Sequence, residues 1–236
     1  MADGIYAALS GALAQAQALD TVANNLANGS TEGFKAQRLS FEETLLAQPG
    51  AAPQSQTAVR TASTDFSQGG IQDTGNPLDV ALLGEGFLTV ETSAGVRYTR
   101  AGSLTLSPEG TLVTSAGHPV LGTNGTIEIG QARRVSIDEH GQVLRDGIVV
   151  GQLERVRFAE PQRLVREGER LWSAPAGAQP EPVDVRVQSG ALERSNVNAL
   201  TEMSELIWIS RAYEIFHRSI ETFDSADQKA ASELGR

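Results

Sequence analysis

Apolar residues recur at alternating spacings of four and three along the first 28 residues of the chain. This spacing predicts an amphipathic helix from Gly4 to Asn28 whose apolar stripe is narrow, as in a coiled coil. Alanine occupies several stripe positions, so the helix buries little apolar surface and needs a bulkier partner helix. The predicted seam consists of Ile5, Leu9, Ala12, Ala16, Leu19, Ala23 and Leu26.

The C-terminal region repeats this rhythm with larger side chains. Helical periodicity begins after Asn198 and extends to about Ser232, and Asp227 interrupts it. Small residues at one end and large ones at the other favour packing of knobs into holes, so we predict that the terminal helices pair as a hairpin or in a subunit-crossing bundle. The alternative is that each helix docks separately on a core. The second seam consists of Leu206, Ile209, Tyr213, Phe216, Ile220, Phe223, Ala230 and Leu234.

Between the helices the period changes from helical to alternating. Short alternating runs separated by glycine-containing turns predict an all-β module of many short strands, and the lack of long helices there disfavours a doubly wound nucleotide-binding fold. The turn signals are Pro108-Glu109-Gly110, Asn124-Gly125 and Asp146-Gly147. The predicted strands are Phe87 to Glu91, Val96 to Arg100, Ser103 to Leu106, Thr111 to Thr114, Val135 to Ile137 and Val183 to Val187.

These patterns predict an α+β fold in which N- and C-terminal helices pair as a coiled coil around an all-β central module. We expect a coiled-coil helix over residues 1–30, a turn and extended linker over 31–74, a β-rich module over 75–190 and a second coiled-coil helix over 191–236. The linker prediction rests on residues 48–63, which are mostly Ala, Pro, Gln, Ser and Thr. Ser195, Asn196 and Asn198 are the candidates to cap the second helix.

Composition excludes several classes of function. The 236 residues carry a formal net charge of -10, dispersed along the chain, which argues against a nucleic-acid partner. The first helix has no Lys or Arg before Lys35, which disfavours a membrane-surface role. Cysteine is absent, which excludes disulfides and thiolate metal sites. The N-terminus lacks the pattern of a signal peptide and no segment is long enough to span a membrane, so we expect any export to use another route.

An enzymatic function has little support in the sequence. The histidines are His118, His140 and His217, which lie far apart among turn or helix residues. The glycines around Glu85 are followed neither by a further glycine at the dinucleotide spacing nor by the Lys of a phosphate loop. We therefore expect no catalytic residue, no cofactor and no metal site.

Polar residues cluster where the first helix ends. Asn28 fits a helix stop, whereas Asn24 and Asn25 are poor interior helix residues, so we assign their amides to packing contacts. Gly33 follows several turn formers and precedes Phe34, so we expect it to adopt a positive φ with Phe34 as a packed anchor. By this reasoning asparagine would be tolerated at position 33 and valine would not.

At these residues the chain resembles the bacterial flagellar rod and hook family of axial proteins. Three blocks carry the resemblance, in the family order, and together they cover most of the chain. They are the run from Ala23 to Asn28 with Thr31, Gly33 and Phe34; the run from Asn76 to Phe87 continued by Tyr98 to Gly102 and Gly110 to Val113; and the run from Gly190 to Asn198 with Glu202-Met203 and Arg211 to Glu214.

The length resembles that of the rod proteins with one small β-module rather than that of a hook protein. The runs Asp65 to Gly69 and Phe223 to Asp227 look more like a proximal-rod than a distal-rod protein, and the distal-rod assignment stays open as the alternative. From another class, a fibrous surface adhesin with a helical stalk below a β-head would predict one continuous stalk rather than seams at opposite termini. An enzyme is the third choice.

The resemblance implies a non-enzymatic building block of the flagellar basal body, located in its periplasm-spanning rod. Such proteins are exported through the flagellum's own channel without a cleaved signal, their terminal helices line the inner tube, and their β-module faces outward. The implied partners are other rod subunits and copies of the same chain, without nucleic acid or direct membrane insertion. We expect the assembly interface to include Ile5, Leu9, Leu19, Asn24, Asn25, Leu26, Asn28, Gly33, Phe34, Leu206, Ile209, Tyr213, Phe216, Ile220 and Phe223.

Overall fold

The computed structural model describes residues 2–46, 54–168 and 170–234, and the chain divides into two compact units. Unit 1 combines Met1–Ala27, Gln37–Thr64 and Asn198–Arg236, and unit 2 combines Asn28–Ala36 and Asp65–Val197. Each unit is therefore assembled from segments near both ends of the sequence. Together they form an α+β protein with a helix at each end and a β-rich middle, as predicted.

Unit 1 contains two long helices and one β-hairpin. Helix α1 spans Ala2–Ala27 and helix α2 spans Ala199–Leu234, both close to their predicted limits. The cap of α2 is Asn198, whose Oδ1 accepts hydrogen bonds from the backbone N–H groups of Leu200 and Thr201 at 3.1 and 3.3 Å. This selects one of the three capping candidates, because Asn198 satisfies the first free amides of the helix.

The hairpin lies where the sequence predicted a turn and a linker. Strand β1 (Gln37–Leu46) pairs antiparallel with strand β2 (Gln54–Thr64), and the part of the predicted linker at 48–53 lies outside the described residues. The pairing depends on backbone hydrogen bonds between the two strands, which do not require apolar side chains, so a polar composition does not prevent it.

Unit 2 is an all-β assembly of short antiparallel strands. The strands are β3 (Ile71–Asp73), β4 (Val80–Leu83), β5 (Phe87–Thr92), β6 (Gly95–Thr99), β7 (Leu104–Leu106), β8 (Leu112–Thr114), β9 (Leu121–Gly122), β10 (Gly125–Thr126), β11 (Val135–Ile137), β12 (Gln142–Arg145), β13 (Ile148–Gln152), β14 (Arg155–Arg157), β15 (Val165–Glu167), β16 (Leu171–Ser173), β17 (Glu181–Pro182), β18 (Arg186–Ser189) and β19 (Ala191–Glu193), with a 3₁₀ turn at Pro161–Arg163.

The largest sheet of unit 2 has six strands in the order β15-β16-β6-β5-β14-β17, and the remaining strands form one three-stranded sheet and several two-stranded pairs. The first and last strands meet, because β3 pairs with β19 and β4 with β18.

Two apolar clusters form the core of unit 2. The larger is aliphatic and includes the fully buried Val90, Leu112 and Val143. The smaller is aromatic and is centred on the buried Trp172, whose ring lies 5.8 Å from that of Phe87. Burial of these side chains provides the main stabilisation of the module.

Most predicted strands and turns of unit 2 are observed. Strand β11 has the predicted limits, and Asp146 and Gly147 take the positive φ values of 51° and 86° that a tight hairpin requires. The last predicted strand, Val183 to Val187, is displaced, because β18 begins at Arg186. The N–H of Val183 donates instead to Arg155 O.

Candidate functional site

The two terminal helices pack against each other in antiparallel fashion within unit 1. Ala18 and Val22 of α1 form a buried cluster with Ile209 of α2. Toward the other end of the pair, Gly11 faces Phe216 so closely that a Cβ at position 11 would lie 2.5 Å from the ring. Small residues of α1 therefore receive large residues of α2, and the helices do not dock separately.

The buried face of α1 agrees with the predicted seam only in part. Ala12 of the seam is buried and Leu19 packs beside the buried cluster, whereas Leu9 and Ala23 of the seam are exposed. Gly11, Ala18 and Val22, which lie outside the predicted seam, are buried as well. On α2, Leu206, Ile209 and Phe216 of the predicted seam do contact α1 or lie beside it; the side chains of Asp227, Ala230 and Leu234 lie outside the described residues.

A buried polar contact fixes the register of this helix pair. Asn25 is 2% exposed, and its Nδ2 donates to Glu202 Oε2 at 3.1 Å and to Gln37 O at 2.8 Å. Its Oδ1 accepts a hydrogen bond from Gln37 N at 2.9 Å. One amide thus joins α1, α2 and the start of β1. Of the other two predicted asparagines, Asn24 is exposed, and Asn28, in unit 2, accepts a hydrogen bond from Thr31 Oγ1 at 3.0 Å.

Gly33 begins the buried N-terminal segment of unit 2. Its φ is +66°, as predicted, and its N–H donates to Glu193 O at 2.8 Å. A Cβ at this position would lie 2.5 Å from Ala101 N and 2.6 Å from Arg100 C. The expectation that asparagine is tolerated here is therefore wrong, because backbone on the opposite side leaves no room for any side chain. Phe34 beside it is fully buried, as expected of an anchor.

Three charged side chains lie buried behind this segment. Lys35 and Glu193 are inaccessible to solvent, and Lys35 Nζ lies 2.5 Å from Glu193 Oε1. Arg100 Nη1 lies 3.4 Å from Glu193 Oε2, and its Nη2 donates to Gly84 O at 2.6 Å. The same carboxylate also accepts the N–H of Gly69 at 2.9 Å. One carboxylate therefore neutralises two cations that come from different parts of the chain.

Burial dominates the electrostatics of this cluster. Loss of solvation lowers the pKa of Lys35, and the nearby Arg100 adds to the effect, although attraction to Glu193 opposes it. Burial likewise lowers the pKa of Arg100 against the same carboxylate. The cluster is structural in character, because its charges are held by each other and by main-chain groups.

Two further side chains bind the buried N-terminal segment of unit 2. Arg166 stacks its guanidinium over the ring of Phe34 at 4.5 Å and donates a hydrogen bond to Lys35 O. Asn196 accepts a hydrogen bond from Ala36 N at 2.8 Å and donates to Asp65 O at 2.8 Å. Sequence reasoning missed this network; the one available signal was that Lys35, a rare lysine in this chain, directly follows an apolar anchor.

The remaining predicted interface residues are neither all buried nor all exposed. Ile5, Leu19, Leu26, Ile220 and Phe223 are half-buried, and Tyr213 is exposed. The described residues contain no cluster of three or more potential metal ligands, and none of their helices is both long and apolar enough to cross a membrane.

Family models match three segments of the chain. Residues 5–35 match the flagella basal body rod protein model, residues 81–145 match the flagellar hook protein FlgE/F/G D1 domain, and residues 188–233 match the flagellar basal body rod FlgEFG protein C-terminal model. These segments include most of α1, the strands β5 to β12 and nearly all of α2.

Full-length relatives agree with these matches. The chain is 35% identical to the flagellar basal-body rod protein FlgF of Caulobacter vibrioides, covering 100% of this chain and 99% of the relative. It is 31% identical to FlgF of Salmonella typhimurium, covering 98% and 97%, and 33% identical to the rod protein FlgG of Buchnera aphidicola, covering 97% and 98%. The chain therefore belongs to the family of bacterial flagellar basal-body rod proteins, as a FlgF-like structural subunit of the rod.

Proposed function

We propose that α1 and α2 are the elements through which this rod subunit polymerises. In this proposal they pair as a coiled coil and contact the helices of neighbouring rod subunits and of further copies of the chain. The β-rich module, predicted over residues 75–190, faces outward. The chain contributes no catalysis, binds no nucleic acid, does not insert into a membrane and is exported without a cleaved signal peptide.

The observation that carries this proposal is the location of exposed apolar side chains. Large exposed apolar residues mark sites of protein contact when they are clustered. Most of those among the described residues lie on the two terminal helices rather than on the β-rich unit. They are Tyr6, Leu9 and Leu13 on α1 and Leu200, Met203, Ile207, Trp208, Tyr213 and Ile215 on α2.

The predicted interface residues take two roles in this proposal. Those that are buried, such as Asn25, Ile209 and Phe34, hold the subunit in the form that assembles. Those that are exposed, such as Leu9 and Tyr213, contact neighbours directly. This division is supported by their burial within units 1 and 2.

Leu9→Asp tests the proposal, with Val149→Asp on β13 as the matched control. The two wild-type side chains are 45% and 50% exposed, so neither change should unfold the chain. We expect Leu9→Asp to abolish motility and rod incorporation in a strain that lacks this gene, since a charge in a helix interface costs several kcal/mol. Val149→Asp should restore motility. Normal incorporation of Leu9→Asp would contradict the proposal.

A further inference from the structure

The sequence contains two Asn-Gly pairs, and the structure places them in different surroundings. They are Asn28-Gly29, just after α1, and Asn124-Gly125, where the loop after β9 leads into β10. An asparagine that precedes glycine is chemically labile, because glycine has no Cβ to shield its backbone nitrogen from the asparagine side chain. The sequence alone therefore assigns the same lability to both pairs.

Asn124 lies in an exposed hairpin loop. Gly122 pairs with Gly125 across the β9–β10 hairpin, so the loop consists of Thr123 and Asn124, and both are exposed. No hydrogen bond or ion pair within the described residues uses the Asn124 amide. Gly125 is exposed as well, with a φ of +103°, and a Cβ added there would meet no atom within 4 Å. Neither the Asn124 side chain nor the space beside Gly125 is therefore occupied by another part of the described chain.

Asn28 has the opposite environment. It is 6% exposed, and its side-chain oxygen accepts a hydrogen bond from Thr31 Oγ1 at 3.0 Å. Its carbonyl oxygen accepts another from the N–H of Thr31 at 3.1 Å. The Asn28 side chain has to break such contacts before it can rotate toward the backbone nitrogen of Gly29. Reaction there requires local unfolding, which carries a free-energy cost.

We propose that Asn124 is a site of spontaneous deamidation in the folded protein and that the structure protects Asn28. In this reaction the backbone nitrogen of Gly125 attacks Cγ of Asn124. A bond forms between these two atoms, the Cγ–Nδ2 bond breaks, and the amide nitrogen leaves as ammonia with the proton that the backbone nitrogen loses. Water then opens the resulting cyclic imide. Opening at Cγ yields aspartate, and opening at the main-chain carbonyl yields isoaspartate, in which the chain continues through the former side chain.

The two products change the hairpin differently. Each adds a negative charge, and isoaspartate also lengthens the main chain by a methylene group. The loop is fixed at both ends. On one side the N–H of Thr123 donates to Gln152 O at 3.0 Å, and on the other Ile127 is 3% exposed in the aliphatic core. We therefore expect isoaspartate to weaken the pairing of β9 with β10, whereas aspartate leaves it in place.

Peptide mapping by mass spectrometry tests the proposal on the full chain. The folded wild-type protein is incubated at mildly alkaline pH, which favours loss of the Gly125 proton, and a parallel sample is incubated in urea. In the folded sample we expect Asn124 to deamidate about tenfold faster than Asn28 or more, because the buried residue reacts only through local opening. In urea the two should react at similar rates, since the protection of Asn28 is lost. Methylation by an isoaspartyl methyltransferase, with S-adenosylmethionine as the methyl donor, measures the isoaspartate fraction.

Asn124→Gln is the matched control, because glutamine keeps the amide group but can close only a larger ring, which forms more slowly. It should remove the reaction at position 124 and leave the rate at Asn28 unchanged. The proposal is overturned if Asn124 stays intact in the folded chain, or if Asn28 reacts there as fast as Asn124. Equal release of ammonia from the folded Asn124→Gln variant and the folded wild type would also contradict it.

Discussion

Glu193→Gln should be among the most destabilising isosteric changes in the chain. The substitution keeps the size of the side chain but removes the negative charge that Lys35 and Arg100 share. In the wild type the carboxylate is inaccessible and lies 2.5 Å from Lys35 Nζ and 3.4 Å from Arg100 Nη1. The variant would leave two buried cations facing a neutral amide.

Breaking a buried ion pair by removing one partner costs roughly 3–5 kcal/mol, because an uncompensated charge remains in the interior. A domain of this kind has a free energy of unfolding of about 5–15 kcal/mol, so the loss is a large fraction of the total. Lys35→Met should cost less than Glu193→Gln, since the carboxylate keeps Arg100 as a partner. Lys35→Met combined with Glu193→Gln should cost less than the sum of the two, because the removed groups interact directly.

Urea unfolding followed by tryptophan fluorescence measures this effect. The chain has two tryptophans, so a Trp208→Phe background leaves the buried Trp172 as the only reporter, and it lies in the same unit as Glu193. Glu167→Gln is the matched control, since Glu167 contacts Arg97 at 2.6 Å but its side chain is 41% exposed, and exposed ion pairs contribute little. If the two substitutions lower the free energy of unfolding equally, burial is not what makes Glu193 important.

Three more predictions use matched positions or pH. Gly33→Ala and Gly33→Asn should both destabilise by about 1–3 kcal/mol through backbone overlap, whereas Gly75→Asn, with a φ of +74° and open space around it, should be tolerated in the same urea assay. Burial lowers the pKa of Lys35 in the folded chain below its ordinary value of 10.5, so the unfolded chain binds more protons than the folded chain between the two pKa values. The free energy of unfolding should therefore rise with pH in that range, and Lys35→Met should remove this rise. Asn25→Asp should loosen the helix pair at neutral pH by placing a second carboxylate against the buried one, with partial recovery in acid, as circular dichroism can measure. Gln17→Glu, at an exposed position of the same helix, should change helix content little. Equal effects at positions 17 and 25, or at 33 and 75, would refute the corresponding argument.

The sequence predicted the elements better than it predicted their contacts. Helix limits, the β11 strand and the turn at Asp146-Gly147 follow from local periodicity and from residues that tolerate positive φ, so they could be read without a structure. The hairpin of β1 and β2 could not, because its pairing depends on backbone hydrogen bonds between the two strands rather than on an apolar pattern.

The face of α1 that packs on α2 was predicted only in part, for a different reason. On an alanine-rich helix, more than one face shows apolar residues at spacings of three and four. The sequence of the helix alone does not indicate which of these faces packs against a partner helix. In the structure the packed face includes Gly11, because only a residue without a side chain leaves room for the ring of Phe216. This contact joins residues far apart in the chain, so local periodicity does not reveal it. The burial of Lys35 and Glu193 was missed for a similar reason. In the sequence each looks like an ordinary charged surface residue, and only the fold brings the two side chains together.

Both units join the start of the chain to its end through buried polar groups. In unit 1, Asn25 binds Glu202 across 177 positions of sequence, and in unit 2, Lys35 binds Glu193 across 158 positions. An apolar contact tolerates slippage along a helix or strand, whereas a buried polar group is satisfied at one register only, because any shift leaves a donor or charge unpaired. The function proposed above, assembly through both terminal helices, requires the two helices to be held at one fixed register. The buried amide of Asn25 supplies that register within the helix pair, at a position where leucine would contribute more apolar burial but would specify the alignment less.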